Sequence, residues 1–154
     1  MKLTKEILLA QIKACYHQPT WFVSLDTSIA DITEEEALWK RDEMPNSIFE
    51  IVTHLLYYNE RYLHHIKGME LPESLQNNDE TFSIFEDISW EVLVSRIHAV
   101  MSEWITVVEQ SDEDQLEAYC EDIMHMANHT IHHTGQIVYI RKLQGSWDEE
   151  KGVS

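Results

Sequence analysis

The chain is short of the residues that interrupt helices. Across 154 residues it has four glycines, at 68, 135, 145 and 152, and three prolines, at 19, 45 and 72. Long stretches between them show apolar residues at three- and four-residue steps and no sustained alternation. Helices are therefore expected and strands are not. Cysteine is nearly absent too: Cys15 and Cys120 stand far apart, which excludes a disulfide framework and a Cys-x-x-Cys redox or metal motif. Both lie in partly apolar surroundings and read as buried free thiols. Basic residues number 11 against 28 acidic ones, a formal charge of −17. Such a surface repels polyanions and anionic membranes, so neither nucleic acid nor a membrane is an expected partner. No run approaches 18 apolar residues, and the N-terminal MKLTKEILLAQIKACYH has no uninterrupted apolar core. The expectation is a cytoplasmic protein whose length suits one domain: residues 1–145 as a single helical domain, with 146–154 a polar tail.

What is present is helical periodicity. A first helix is expected over about 4–16, capped by Thr4, with Ile7, Leu8, Ile12 and Cys15 as its stripe. A second is expected to restart at Pro19 or Thr20 and to carry Trp21, Phe22, Leu25 and Ile29. Thr33-Glu-Glu-Glu36 reads as a capping box opening a short helix through Trp39. The next helix begins near Asn46 or Ser47, buries Ile48, Ile51, Val52, Leu55, Tyr58, Tyr62 and Ile66, and stops at Gly68. Residues 69–88 are polar. A connection of about 20 residues is unusual unless it crosses over or carries function, and it can place two consecutive long helices in parallel. A further helix opens at Ser89, with Val92 and Leu93 inside, and runs to about Gln110. Ser111-Asp-Glu-Asp114 reads as a break. The last long helix is expected over about 121–145, followed by a frayed tail after Trp147.

Histidine is abundant, with nine in the chain. His129 and His133 are four apart, which on a helix separates them by roughly 40° around the axis and about 6 Å along it. They point the same way, a spacing that lets two imidazoles hold one metal ion, as in the zincin helix. The third ligand must come from another helix. His54 is the best candidate, because it sits in the apolar run Ile51-Val-Thr-His-Leu-Leu56 and a buried imidazole needs a partner. A hydrogen-bonded core histidine would satisfy the same requirement. His132 is turned about 100° from His133 and is expected to lie outside the site. His64-His65 read as a solvated helix end. No His-Glu-x-x-His occurs, no Glu-x-x-His pair is matched between helices, and there is no phosphate loop or nucleophile elbow.

Asn46-Ser-Ile-Phe-Glu-Ile-Val-Thr-His54-Leu with Tyr58-Asn-Glu-Arg-Tyr62, and Asn128-His-Thr-Ile-His-His-Thr-Gly-Gln136-Ile with Arg141 and Gly145, resemble two helices of the DinB-like superfamily. The stretch 25–39, ending in Trp39, fits as well. The resemblance implies an all-α, up-down-down-up four-helix bundle with a long crossover, and one divalent ion (zinc, nickel or iron) on His54, His129 and His133. It also implies a possible homodimer. Characterised relatives include metal-dependent thiol transferases, so a low-molecular-weight thiol and a small electrophile are the implied partners. A metal-dependent hydrolase and a non-catalytic metal-binding stress-response protein are the alternatives. Three histidines leave an open coordination position, and catalysis would occur there rather than on a named side chain. Where family members often carry a basic residue before Gly-Gln, this chain has Thr134, a departure at a position that could bear on substrate.

Overall fold

The computed structural model describes residues 2–85 and 87–153. Among them there are six α-helices and no strands: α1 (Lys2–Tyr16), α2 (Leu25–Ile29), α3 (Glu34–Leu38), α4 (Ile48–Ile66), α5 (Trp90–Gln110) and α6 (Glu113–Gln144). Two 3₁₀ turns, Asn78–Phe82 and Glu149–Lys151, complete the regular structure.

The helix ends follow from local chemistry. Ser47 caps α4: its hydroxyl accepts from Glu50 N–H while the Glu50 carboxylate accepts from Ser47 N–H. At the other end Gly68 adopts φ +70°, a conformation that costs glycine little. Met69 N–H then reaches His64 C=O and Gly68 N–H reaches His65 C=O, which closes the helix as a Schellman motif. Thr33 and Glu36 form the expected box on α3.

Several boundaries or facings differ from expectation, among them Ile7, expected on the inner stripe of α1 and 49% exposed. α1 starts at Lys2, so Thr4 lies inside it. Residues 19–24 are not helical: the Ser24 hydroxyl accepts from Thr27 N–H and starts α2 only at Leu25, leaving Trp21 95% exposed. Ser89 does cap α5, but Val92 faces outward while Leu93, Ile97, Val100, Trp104 and Val108 face in. α6 starts at Glu113 rather than near Glu121. Ser111 ends α5, and Asp112 caps α6 by accepting from Gln115 N–H. The acidic cluster is thus one helix end followed at once by another helix start, where Glu113 and Asp114 suit the positive end of the dipole.

The four long helices enclose one core, with Ile12, Leu55, Leu56, Leu63, Leu93, Ile97, Trp104, Leu116, Ile123 and Ile137 fully or almost fully buried. α1 and α4 each pack against both α5 and α6. Between α4 and α5 the paired positions ascend together: Phe49 with Trp90, Glu60 with Arg96, Lys67 with Glu103. Between α4 and α6 they descend: His54 meets His129, His65 meets Tyr119, and Gln115 donates to Ile66 C=O. The segment between α4 and α5 returns along α4, where Arg61 donates to Pro72 C=O, Tyr57 accepts from Leu75 N–H and Tyr58 donates to Asn78 Oδ1. In the last turn of α6, Arg141 is buried and donates to the Ser28, Ala30 and Ser146 carbonyls. Lys151 pairs with Asp31, which ties the C-terminal segment to the α2–α3 link. No helix among the described residues is long and apolar enough to cross a membrane.

Of the two thiols, Cys15 is fully buried, and burial pushes its pKa up to about 12, so it stays protonated. Cys120 is only half-buried.

Candidate metal centre

α4 carries His54 on a face where Ile51 and Leu55 are buried, so the imidazole enters the bundle with only 3% of its surface exposed. α6 runs antiparallel beside it and presents His129 and His133 one turn apart. One ring nitrogen from each of these histidines lies within 4.8 Å of the others. His54 Nε2 stands 3.0 Å from His129 Nε2, which stands 3.1 Å from His133 Nε2.

Hydrogen bonds outside the cluster fix which nitrogens face inward. Thr81 Oγ1 donates to Asn78 C=O at 2.6 Å and therefore accepts from His54 Nδ1–H, also at 2.6 Å. His133 Nδ1–H donates to Gln136 Oε1 at 2.7 Å. Both rings then carry their proton on Nδ1 and turn a bare Nε2 lone pair toward His129. Phe82 stacks on His54, centroids 4.1 Å apart and planes 6° from parallel, and holds the ring from its other side.

This arrangement lacks a proton. A single N–H on His129 Nε2 can satisfy one of its two neighbours and leaves the other lone pair facing nitrogen. Protonating a second ring is opposed: burial, with the nearby histidine charges adding to it, lowers the pKa of His54 to about 3 and that of His129 to about 4. Burial lowers His133 as well, against the Gln136 hydrogen bond. A cation at the centre would satisfy all three lone pairs. Two nitrogen donors about 2.1 Å from one ion stand about 3.0 Å apart at a right angle and about 3.4 Å apart at the tetrahedral angle. The observed separations fall in that range. The neutral, preoriented, all-imidazole donor set fits a first-row divalent ion.

The cluster opens onto a cavity of about 430 Å³, walled by Tyr58, Tyr62, Phe82, Met126, His125 and His132 among others. His132 is on that wall rather than away from the site, its ring centroid 4.9 Å from that of His133, although it stands outside the three-nitrogen cluster. Tyr62, expected on the inner face of α4, is 40% exposed at the mouth. Burial and the neighbouring Tyr57 and Tyr62 raise the Tyr58 pKa, so its hydroxyl remains a donor. The other histidines lie elsewhere: His65 against Tyr119, and His98 against Tyr16 and Asp26.

Sequence reasoning missed Thr81, Asn78 and Phe82, which come from the aperiodic connecting segment and carry no spacing signal. Gln136 was readable: three residues after His133 is a helical neighbour.

Searches of curated proteins and of solved structures return no match. The family model of the DinB superfamily matches residues 23–137, well over half of the 154-residue chain. The matched span runs from ahead of α2 to the last turns of α6 and contains all three converging histidines together with the segment that orients His54. The chain belongs to the DinB superfamily.

Proposed function

We propose that this protein is a metal-dependent thiol S-transferase in which His54, His129 and His133 hold one zinc, nickel or iron ion, inside a four-helix bundle of up-down-down-up topology. The ascending contacts between α4 and α5 and the descending ones between α4 and α6 support the topology. The observation that carries the function is the convergence of the Nε2 atoms of three histidines at the floor of a cavity of small-molecule size.

A bound divalent ion supplies a Lewis acid with an open position, which lowers the pKa of a thiol and favours the nucleophilic thiolate. The chain supplies the rest. Thr81 and Gln136 hold the His54 and His133 rings in the ligating tautomer. Phe82 and Met126 keep one side of the cavity apolar, which strengthens electrostatic contacts there. His125 and His132, whose side chains line the wall, are the groups assigned in this reading to take the proton that leaves the thiol sulfur. Sulfur then bonds to the electrophilic carbon as the leaving group departs with its electron pair.

Among the described residues, the cavity wall carries no aspartate or glutamate. Hydrolysis, the second reading, would therefore have to use histidine as its base. The test is conjugation of chlorodinitrobenzene to a low-molecular-weight thiol by metal-loaded protein, beside hydrolysis of nitrophenyl acetate without thiol. Metal-dependent conjugation above the uncatalysed rate is expected. Ester hydrolysis alone would replace transfer with hydrolysis, and neither activity would leave a metal-binding protein without turnover.

A further inference from the structure

A second cavity, of about 480 Å³, lies beside the first. Met44, Pro45 and Ile51 form one side, and Tyr139, Ile140 and Leu143 of α6 form the other. His132 lines both cavities, so this space shares one imidazole with the first. Gln136, which holds His133 from behind, also lines it.

Two features mark it as more than a surface groove. Among the described residues its wall contains no lysine, arginine, aspartate or glutamate, although the chain as a whole carries a formal charge of −17. Its floor includes Gly135, in the interior of α6, where glycine is destabilising relative to alanine. Neither backbone conformation nor a close neighbour requires a glycine there. Its φ is unremarkable, and a Cβ would meet no atom within 4 Å. What the missing side chain preserves is open volume.

We propose that this cavity is a binding subsite for an uncharged, largely aromatic or aliphatic small molecule, with Gly135 keeping it open and His132 setting how far the ligand reaches toward the histidine cluster. Resting on the transferase reading, it is the electrophile's subsite, and the first cavity takes the thiol. The absence of fixed charge excludes recognition of carboxylate or phosphate groups by ion pairing and favours ligands that bind by burying apolar surface. Tyr139, 65% exposed, stands at the rim as an aromatic wall that a planar ligand can stack on.

The experiment is a fluorescence titration with Prodan, an uncharged naphthalene dye, beside its anionic counterpart anilinonaphthalene sulfonate. It is run on wild type, Gly135→Leu and Tyr139→Ala, with circular dichroism and zinc content measured on each. Wild type is expected to bind Prodan, and more tightly than the sulfonate. Gly135→Leu fills open space on a helix and is expected to weaken Prodan by about tenfold while keeping its zinc. Tyr139→Ala, at an exposed position that does not threaten the fold, is expected to weaken it as well. No Prodan binding by wild type, or binding unchanged in both variants, would overturn the subsite. Tighter binding of the sulfonate would overturn the uncharged class. Gly135-sensitive Prodan binding by a protein that takes up no zinc would uphold the subsite and remove the metal-dependent reading, so the two failures are distinguishable.

Discussion

Thr81 is a small side chain beside the histidine cluster and one of the most consequential. Its hydroxyl has one proton, committed to Asn78 C=O, so toward His54 it can only accept. That single fact sets the His54 tautomer. Thr81→Val keeps the shape, removes the acceptor and leaves a buried Nδ1–H unpaired. Loss of such a partner typically costs 10- to 100-fold in metal affinity, so zinc affinity measured by competition with a chelating dye is expected to fall by about that much. Thr81→Ser should recover most of it. Equal affinities for wild type and Thr81→Val would mean that the threonine does not position the ligand. The histidines themselves were legible because helical periodicity is arithmetic: a four-residue step puts His129 and His133 on one face, and the apolar neighbours of His54 turn it inward. Thr81 was not legible, because it reaches the site through a segment without a period. Nor was the place of His132 on the cavity wall. An angle of about 100° from His133 excludes it from the three-nitrogen cluster but not from the space beside it.

At the scale of elements, sequence reading located helices better than it located their ends. The box on α3 was visible because capping uses specific side chains at fixed offsets, whereas the Ser47–Glu50 box on α4 is a finding of the structure. The start of α6 was misplaced by eight residues because Ser, Asp and Glu serve equally as helix breakers and helix starters, and only the Asp112–Gln115 hydrogen bond decides between them. The span 19–24 was read as helical on its apolar residues, but Trp21 points to solvent and Ser24 starts the helix after it. Ser47 offers a direct check on how far caps hold the site. It is 2% exposed, and its hydroxyl satisfies one of the free N–H groups of the helix that carries His54. Ser47→Ala is expected to cost about 1 kcal/mol in urea denaturation while leaving metal stoichiometry unchanged. A loss of metal at full helical content would show that the cap positions His54 as well as stabilising α4.

Over the whole molecule, charge and protonation set the conditions under which the cluster works. His54, His129 and His133 are held neutral in the fold, with pKa values lowered to about 3 for His54 and about 4 for His129. In the unfolded chain these groups titrate near about 6.5. Between those limits the unfolded state binds protons that the folded state refuses, so stability falls as pH drops from about 6.5 toward about 4. Metal-free wild type should therefore lose urea resistance steeply over this interval. A variant with leucine at all three positions should show a shallower decline, because the three buried groups that refuse protons in the fold are gone. Parallel curves would mean that the histidines are not buried neutral. Protons and a metal compete for the same lone pairs, so acidification over the same interval should also release bound ion.

The central claim is that three histidines from two helices, and not their neighbours, hold one divalent ion. Elemental analysis of protein purified without added chelator tests it most directly, on wild type, His54→Ala, the double variant His129→Ala/His133→Ala, and His132→Ala, each checked for helical circular dichroism. About one ion per chain is expected in wild type and in His132→Ala, and well below that in the other two, because two imidazoles or one hold first-row metals poorly without further donors. Metal retained in the folded His54→Ala protein and lost from His132→Ala would contradict the account.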